Sequence, residues 1–121
     1  MAIGLIGSVG KAEQVVPYVD YDITVVAQTS GQDNWKAYAA GGTNCYVYDL
    51  PVADIPNADI TLDSDFAVLP RGTITATLLE NFSNINAAEI TTIDNATTLR
   101  FYSMTGKPSV DIAVTLRIYN Q

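Results

Sequence analysis

Carboxylate and aromatic side chains are the groups of this sequence that could do chemistry, because the chain has no histidine and one cysteine. Histidine-dependent triads and general bases are therefore excluded, as are zinc sites built on histidine or on several cysteines. Neither a GxxxxGK[ST] motif nor a GxGxxG loop occurs, which excludes the usual phosphate-binding loops. We expect a protein without enzymatic activity and without a cofactor.

The densest acidic stretch lies in the middle of the chain, between residues 49 and 65. Within it, Asp59, Asp63 and Asp65 could offer oxygen ligands to Ca²⁺, although the stretch lacks the glycine and the terminal glutamate of the twelve-residue calcium loop. The same acids could form the carboxylate pair of a glycosidase. We interpret them as solvated loop acids and keep the calcium site as the weaker alternative.

Four aromatic residues could bind sugar rings by stacking. Trp35 and Tyr38 lie close together before a pair of glycines, and Tyr46 and Tyr48 share one face of an expected strand. Exposed rings of this kind would suit a glycan-binding module. In the alternative that we favour, Trp35 closes one end of the fold and the tyrosines pack with their hydroxyls at the rim.

Hydrophobic periodicity predicts strands along most of the chain. The clearest run is 109–120, where Val110, Ile112, Val114, Leu116 and Ile118 alternate with more polar residues, as in a half-buried strand. Similar runs at 72–80, 89–93 and 97–103 predict that the C-terminal half forms a four-strand antiparallel meander. Asp94 and Asn95 have the composition of a turn between two of these strands.

In the first half of the chain, the sequence predicts further strands at 14–19, 21–28, 43–50 and 58–62. One helical turn is expected at 35–40, and residues 50–57 and 63–70 are interpreted as connections. Because no convincing amphipathic helix occurs, we predict an all-β fold, a small antiparallel β-sandwich or barrel. Residues 12–121 are expected to form this single domain.

Residues 1–11 are interpreted as an N-terminal assembly arm with apolar positions Ile3, Leu5, Ile6 and Val9. The segment lacks the basic start and the length of a signal peptide, and it is too short to cross a membrane. Cys45 lies in an apolar run and is expected to be a buried, inert thiol.

The charge balance indicates which partners the chain prefers. Thirteen acidic against six basic residues give a net charge of −7, which disfavours nucleic acid and anionic membranes. Charged residues make up 16% of the chain, against about 25% in typical domains. Such a chain exposes either many neutral polar groups or apolar surface, and the second option would favour burial against other protein chains.

Part of the sequence resembles a pattern found in tailed-bacteriophage virion appendage proteins. It consists of an L-x-F strand with Leu99 and Phe101, a turn at Pro108, and a C-terminal alternating strand that contains Asp111. The runs at 73–79 and 88–90 are similar to earlier strands of that unit, so the resemblance covers roughly residues 70–120.

The resemblance implies a structural virion protein: a capsid decoration protein, a head fibre, or a tail or baseplate component. It would assemble as a homotrimer with other virion proteins, after synthesis in the host cytoplasm without a signal peptide. The alternative function is a carbohydrate-binding or receptor-binding adhesion module directed at a glycan of the host surface.

Overall fold

The computed structural model describes residues 17–40 and 43–119, which form seven strands and one short α-helix. The strands are β1 (Tyr18–Val25), β2 (Lys36–Ala40), β3 (Thr43–Pro51), β4 (Asp65–Pro70), β5 (Ala87–Ile93), β6 (Ala96–Ser103) and β7 (Ile112–Tyr119). The helix α1 spans Ala76–Phe82, and a single 3₁₀ turn spans Val52–Asp54. No helix in this part of the chain is long and apolar enough to cross a membrane.

The strands form two antiparallel sheets, which confirms the all-β prediction and decides for a sandwich over a closed barrel. One sheet has the order β1-β7-β4 and the other the order β2-β3-β6-β5. The hydrophobic core lies between the sheets, where apolar side chains of alternate strand positions meet. Its largest fully buried side chains are Trp35, Phe101, Leu99, Ile112, Leu116, Val25 and Val114.

Strand β7 is the centre of the smaller sheet and confirms the clearest sequence pattern. Ile112, Val114, Leu116 and Ile118 are buried, while the residues between them are half-buried on the outer face. Val110, expected on the inner face, precedes the strand and is exposed. The Asp94–Asn95 turn is also confirmed, because both residues have positive φ angles, 51° and 65°. Such a two-residue turn suits the twist of the β5–β6 hairpin that it closes.

The predicted four-strand meander of the C-terminal half is wrong, because its first segment is helical. Thr75 caps α1 by accepting a hydrogen bond on its hydroxyl oxygen from the backbone N–H of Leu78, at 3.1 Å. This N-cap and the helix-forming residues that follow outweigh the alternation of threonine with apolar residues at 72–80.

The last strand of the expected meander also lies elsewhere. β6 already has β3 on one side and β5 on the other, so β7 cannot pair with it. The chain instead crosses to the smaller sheet through residues 104–111, and β7 pairs there with β1 and β4.

Short segments of the first half also differ from the sequence prediction. The helical turn expected at 35–40 forms β2, which pairs with β3. The strand expected at 58–62 is irregular, and the true strand β4 begins three residues later, at Asp65, within the segment 63–70 predicted to be a connection. In both places tertiary pairing, which short windows of sequence do not contain, determines the backbone conformation.

Candidate functional site

The structure separates the four aromatic candidates. Trp35 is fully buried, and its indole N–H donates a hydrogen bond to the carbonyl oxygen of Val26 at 2.9 Å. Tyr46 and Tyr48 are half-buried against the core, and the Tyr48 ring lies 5.7 Å from the Trp35 ring, centre to centre. Tyr38 alone of the four is exposed. The four rings therefore do not form one stacking platform, and Trp35 fills the interior as in the favoured alternative.

The acidic candidates do not form a metal centre in the described part of the chain. Among residues 17–40 and 43–119, no group of three or more His, Cys, Asp or Glu side chains is placed to hold a metal ion. Asp59 and Asp63 belong to a turn-rich connection, where their backbone N–H groups donate to the hydroxyls of Tyr21 and Thr61. Asp65 begins β4. A calcium site made of Asp59, Asp63 and Asp65 is therefore not formed.

The proposed assembly residues Ile3, Leu5, Ile6 and Val9 lie outside the residues that the structure describes. Their assignment to an arm stays a prediction. The described chain begins at Pro17, immediately before β1.

An ordered cluster of polar and aromatic side chains crosses the outer face of the four-stranded sheet. We call it the Arg100 cluster, and it consists of Tyr38, Asp49, Glu89, Arg100 and Tyr102. Arg100 donates two hydrogen bonds to the Asp49 carboxylate, from Nε at 2.7 Å and from Nη2 at 3.0 Å. The two residues are direct partners on β6 and β3. Two parallel N–H···O bonds of this kind are the strongest geometry for such a pair.

The tyrosines extend the Arg100 cluster to the two outer strands of the sheet. The Arg100 guanidinium carbon lies 4.8 Å from the centre of the Tyr38 ring on β2, a cation–π distance. Tyr102 meets the same ring edge-on, with the ring centres 6.1 Å apart. Its hydroxyl donates a hydrogen bond to the carboxylate of Glu89 on β5. The cluster thus links all four strands of the sheet.

These contacts reinforce the ordinary protonation states of Arg100 and Tyr102. The hydrogen bond to Asp49 raises the pKa of Arg100 above its ordinary value, so the guanidinium keeps its charge at every relevant pH. Burial, followed by the hydrogen bond to Glu89, raises the pKa of Tyr102 to about 12. At neutral pH the phenol therefore carries its proton and acts as a donor.

The Arg100 cluster also covers two apolar side chains of the outer face. Cys45 and Val47 point away from the core on β3, yet each is only 3% exposed. Cys45 has Tyr38 as its register partner on that face, and Val47 has Lys36 and Tyr102, so large side chains flank both residues. The prediction of a buried thiol at Cys45 is confirmed.

The smaller sheet carries a matching arrangement, the Arg117 cluster, which consists of Tyr18, Asp20, Arg117 and Tyr119. Arg117 donates to the Asp20 carboxylate from Nε at 2.8 Å and from Nη2 at 3.0 Å. Its guanidinium carbon lies 3.9 Å from the centre of the Tyr18 ring, and the Tyr119 ring meets Tyr18 edge-on. Both outer faces therefore have polar side chains that are already engaged within the chain.

Neither arginine was singled out by the analysis of the sequence, although a signal exists. The pattern Leu-Arg-apolar-Tyr occurs twice, at 99–102 and at 116–119. In a strand each copy places its arginine and tyrosine on one face and its apolar residues on the other. The aspartate partners carry no such signal, because Asp49 and Asp20 lie 51 and 97 residues away in the chain.

The edges of the four-stranded sheet are the second candidate surface. Among the described strands, β2 and β5 each have a hydrogen-bonded neighbour on one side only. β5 contains no proline and one charged residue, Glu89, and β2 contains one charged residue, Lys36. Edge strands with so few blocking residues can pair with another chain.

An open groove of about 420 Å³ lies against β2 and β3. It is lined by Ala37, Tyr38, Ala39, Asn44, Cys45 and Tyr46. Ala37 and Ala39 are exposed, although their register partners Tyr46 and Asn44 share the face that carries the core at β3. The opposite sheet therefore does not extend over β2.

Comparison with known proteins shows no match to a protein-family model, to a curated protein or to a solved structure.

Proposed function

We propose that this chain is a non-enzymatic structural protein that assembles as a homotrimer on the surface of a bacteriophage particle. It would serve there as a capsid decoration protein, a head fibre, or a tail or baseplate component. Its residues act through shape and burial, and its partners are further copies of the chain and other virion proteins.

The observation that supports assembly is the contrast between the faces and the edges of the four-stranded sheet. The outer face carries the Arg100 cluster, whose charged groups are hydrogen-bonded within the chain. The edges β2 and β5 present backbone groups without a strand partner in the described chain. Pairing of such edges between subunits satisfies those groups and protects them from uncontrolled association.

The virion setting rests on the sequence resemblance. The L-x-F segment forms β6, Pro108 lies in the crossing to the other sheet, and the alternating segment forms β7. Asp111 precedes β7 and accepts a hydrogen bond from the backbone N–H of Ala27 at 2.8 Å. The run at 73–79 departs from the pattern, because it includes most of α1.

The mass of the purified chain in solution tests assembly. We expect light scattering to give three times the 13.0 kDa of one chain. The exposed strand edges and the arm would each contact a neighbouring subunit. Removing residues 1–11 leaves every described strand intact, and we expect the truncated chain to dissociate.

Circular dichroism of the truncated chain is the control, since it must show the same sheet content as the full chain. A full-length chain that stays monomeric at micromolar to millimolar concentration would contradict the proposal. A truncated chain that keeps the full mass would remove the arm from the mechanism.

A second candidate function, adhesion to a surface glycan, is favoured by the exposed Tyr38 ring. Tyr38 is 38% exposed, and Arg100, Asp49, Glu89 and Tyr102 surround it with fixed hydrogen-bonding groups. A rigid ring beside planar polar groups is a suitable surface for a sugar, whose C–H groups stack while its hydroxyls bond.

Binding to a glycan array tests this candidate. We expect Tyr38→Ala to weaken binding about tenfold, which corresponds to about 1.4 kcal/mol of lost ring contact. Tyr18→Ala is the matched control, because Tyr18 makes the same contact with Arg117 on the other sheet. Equal losses in both variants, or no binding by the wild type, would count against adhesion at Tyr38.

A further inference from the structure

We infer that the two edges of the four-stranded sheet pair with each other between copies, so that β5 of one subunit adds to β2 of the next. This inference rests on the proposed assembly and specifies its interface. The partner is a second copy of this chain, and the contact is continuous main-chain pairing with a defined register of side chains.

Strand direction permits this contact. The order β2-β3-β6-β5 is antiparallel at every step, so β2 and β5 run in opposite directions within one sheet. A neighbouring copy that is rotated about an axis along the strands therefore presents β2 antiparallel to β5. The eight strands of two such copies form one continuous antiparallel sheet.

Charge favours pairing of unlike edges over pairing of like edges. A two-fold contact of β5 with β5 places two Glu89 carboxylates on the same face of adjacent strands, and β2 with β2 does the same with two Lys36 side chains. Like charges at such positions are destabilising. Pairing of β5 with β2 instead brings Lys36 of one copy next to Glu89 of another.

One register of β5 against β2 gives favourable side-chain contacts on both faces of the sheet. With Tyr38 opposite Glu89, Lys36 lies opposite Thr91 and diagonal to Glu89, within reach of its long side chain. Within each subunit, Lys36 and Glu89 belong to the outer face, because their register partners are Val47 and Arg100. Tyr102 already holds the Glu89 side chain on that face, so the Arg100 cluster continues across the interface.

In the same register, the side chains that β2 and β5 present on the inner face are complementary in size. Ala37 and Ala39 are small, exposed inner-face residues that contribute to the groove of about 420 Å³ at β2 and β3. β5 presents Ile90 and Ala88 to the inner side, where Ile90 is only half-buried within one chain. The register places Ile90 opposite Ala37 and Ala88 opposite Ala39, so the larger side chain enters the open groove.

The contact uses a different edge on each subunit, which makes it heterologous. Heterologous contacts close into a ring when the rotation between copies divides a full turn, as a homotrimer requires. A ring of this kind leaves no free edge on any of its four-stranded sheets.

Light scattering of edge variants tests the interface. We expect Ala39→Lys to give a monomer at concentrations where the wild type is a trimer, because the ammonium enters the groove that the neighbouring β5 fills. Ala39 is exposed within one chain, so the variant keeps its fold. Thr24→Lys is the matched control, since Thr24 is an exposed residue of the β1 edge, and it should remain trimeric.

A charge exchange tests the register. We expect Lys36→Glu and Glu89→Lys each to raise the dissociation constant about threefold, because each puts like charges on adjacent strands, and the double variant to recover most of the loss. A double variant that is no better than the single ones would overturn the register.

The outcomes separate this inference from the proposed function. An Ala39→Lys variant that stays trimeric overturns the edge interface and leaves the assembly proposal standing. If the chain without residues 1–11 dissociates while Ala39→Lys does not, the arm forms the interface and the inference is again overturned. A wild-type monomer overturns both.

Discussion

Replacing Trp35 by alanine is expected to lower the free energy of unfolding by about 3–5 kcal/mol, the usual cost of removing a large buried aromatic side chain. Trp35 has no exposed surface, and its ring packs on Tyr48 with the ring centres 5.7 Å apart. Its removal leaves a cavity at the point where the chain passes from one sheet to the other, between β1 and β2.

The indole also anchors the loop between β1 and β2 through hydrogen bonds. Its N–H donates to the Val26 carbonyl at 2.9 Å, and the Trp35 backbone N–H donates to the side-chain oxygen of Gln28 at 2.9 Å. The backbone N–H of Gln28 donates in turn to the carbonyl of Pro108, also at 2.9 Å. Loss of the indole therefore loosens two connections that meet at one end of the sandwich, the loop between β1 and β2 and the segment between β6 and β7.

Urea denaturation monitored by circular dichroism measures this effect as a shift of the urea midpoint at an unchanged m-value. Trp35→Phe is the control, because it keeps most of the ring volume and removes the N–H. We expect it to cost less than the alanine variant, with about 1–3 kcal/mol from the carbonyl left without its donor. A loss below about 1 kcal/mol for Trp35→Ala would show that the indole is not part of the packed core.

This prediction also affects tests of glycan binding. Because Trp35→Ala destabilises the whole sandwich, a loss of binding in that variant would report unfolding. Tyr38, on the outer face, is the residue whose substitution separates adhesion from stability.

Replacing Arg100 by methionine is expected to lower the free energy of unfolding by about 2 kcal/mol. The value lies between the roughly 3–5 kcal/mol of a fully buried pair that loses one partner and the roughly 0–1 kcal/mol of an exposed pair. The Arg100 and Asp49 side chains are 14% and 26% exposed, which places the pair between these limits. Methionine keeps the apolar stem over the sheet, so the loss reports mainly on the unpaired Asp49 carboxylate.

The Arg117 cluster supplies the matched control for this experiment. Arg117→Met removes the same bidentate contact from a pair whose side chains are 24% and 36% exposed, and we expect a loss of about 0.5–1 kcal/mol. The double variant Arg100→Met with Asp49→Leu should recover part of the loss, since no charge remains without a partner. Equal losses for Arg100→Met and Arg117→Met would contradict the role that we assign to burial.

The strongest local patterns of the sequence predicted the elements that formed as expected. β6 and β7 alternate strictly enough that one face must be buried, and Asp94 and Asn95 tolerate the positive φ angles of their turn. The all-β class follows from several such strands. These features depend on neighbours within a few residues, which a single sequence contains.

Only the tertiary structure determined which strands are neighbours and which side chains meet. The Asp49–Arg100 and Asp20–Arg117 pairs join residues 51 and 97 positions apart, and they exist because antiparallel register places each aspartate opposite its arginine. The transfer of β7 to the smaller sheet was decided in the same way, since β3 and β5 occupy both sides of β6. Local sequence determines the periodicity of a strand, whereas pairing partners depend on contacts between distant segments that compete for the same edge.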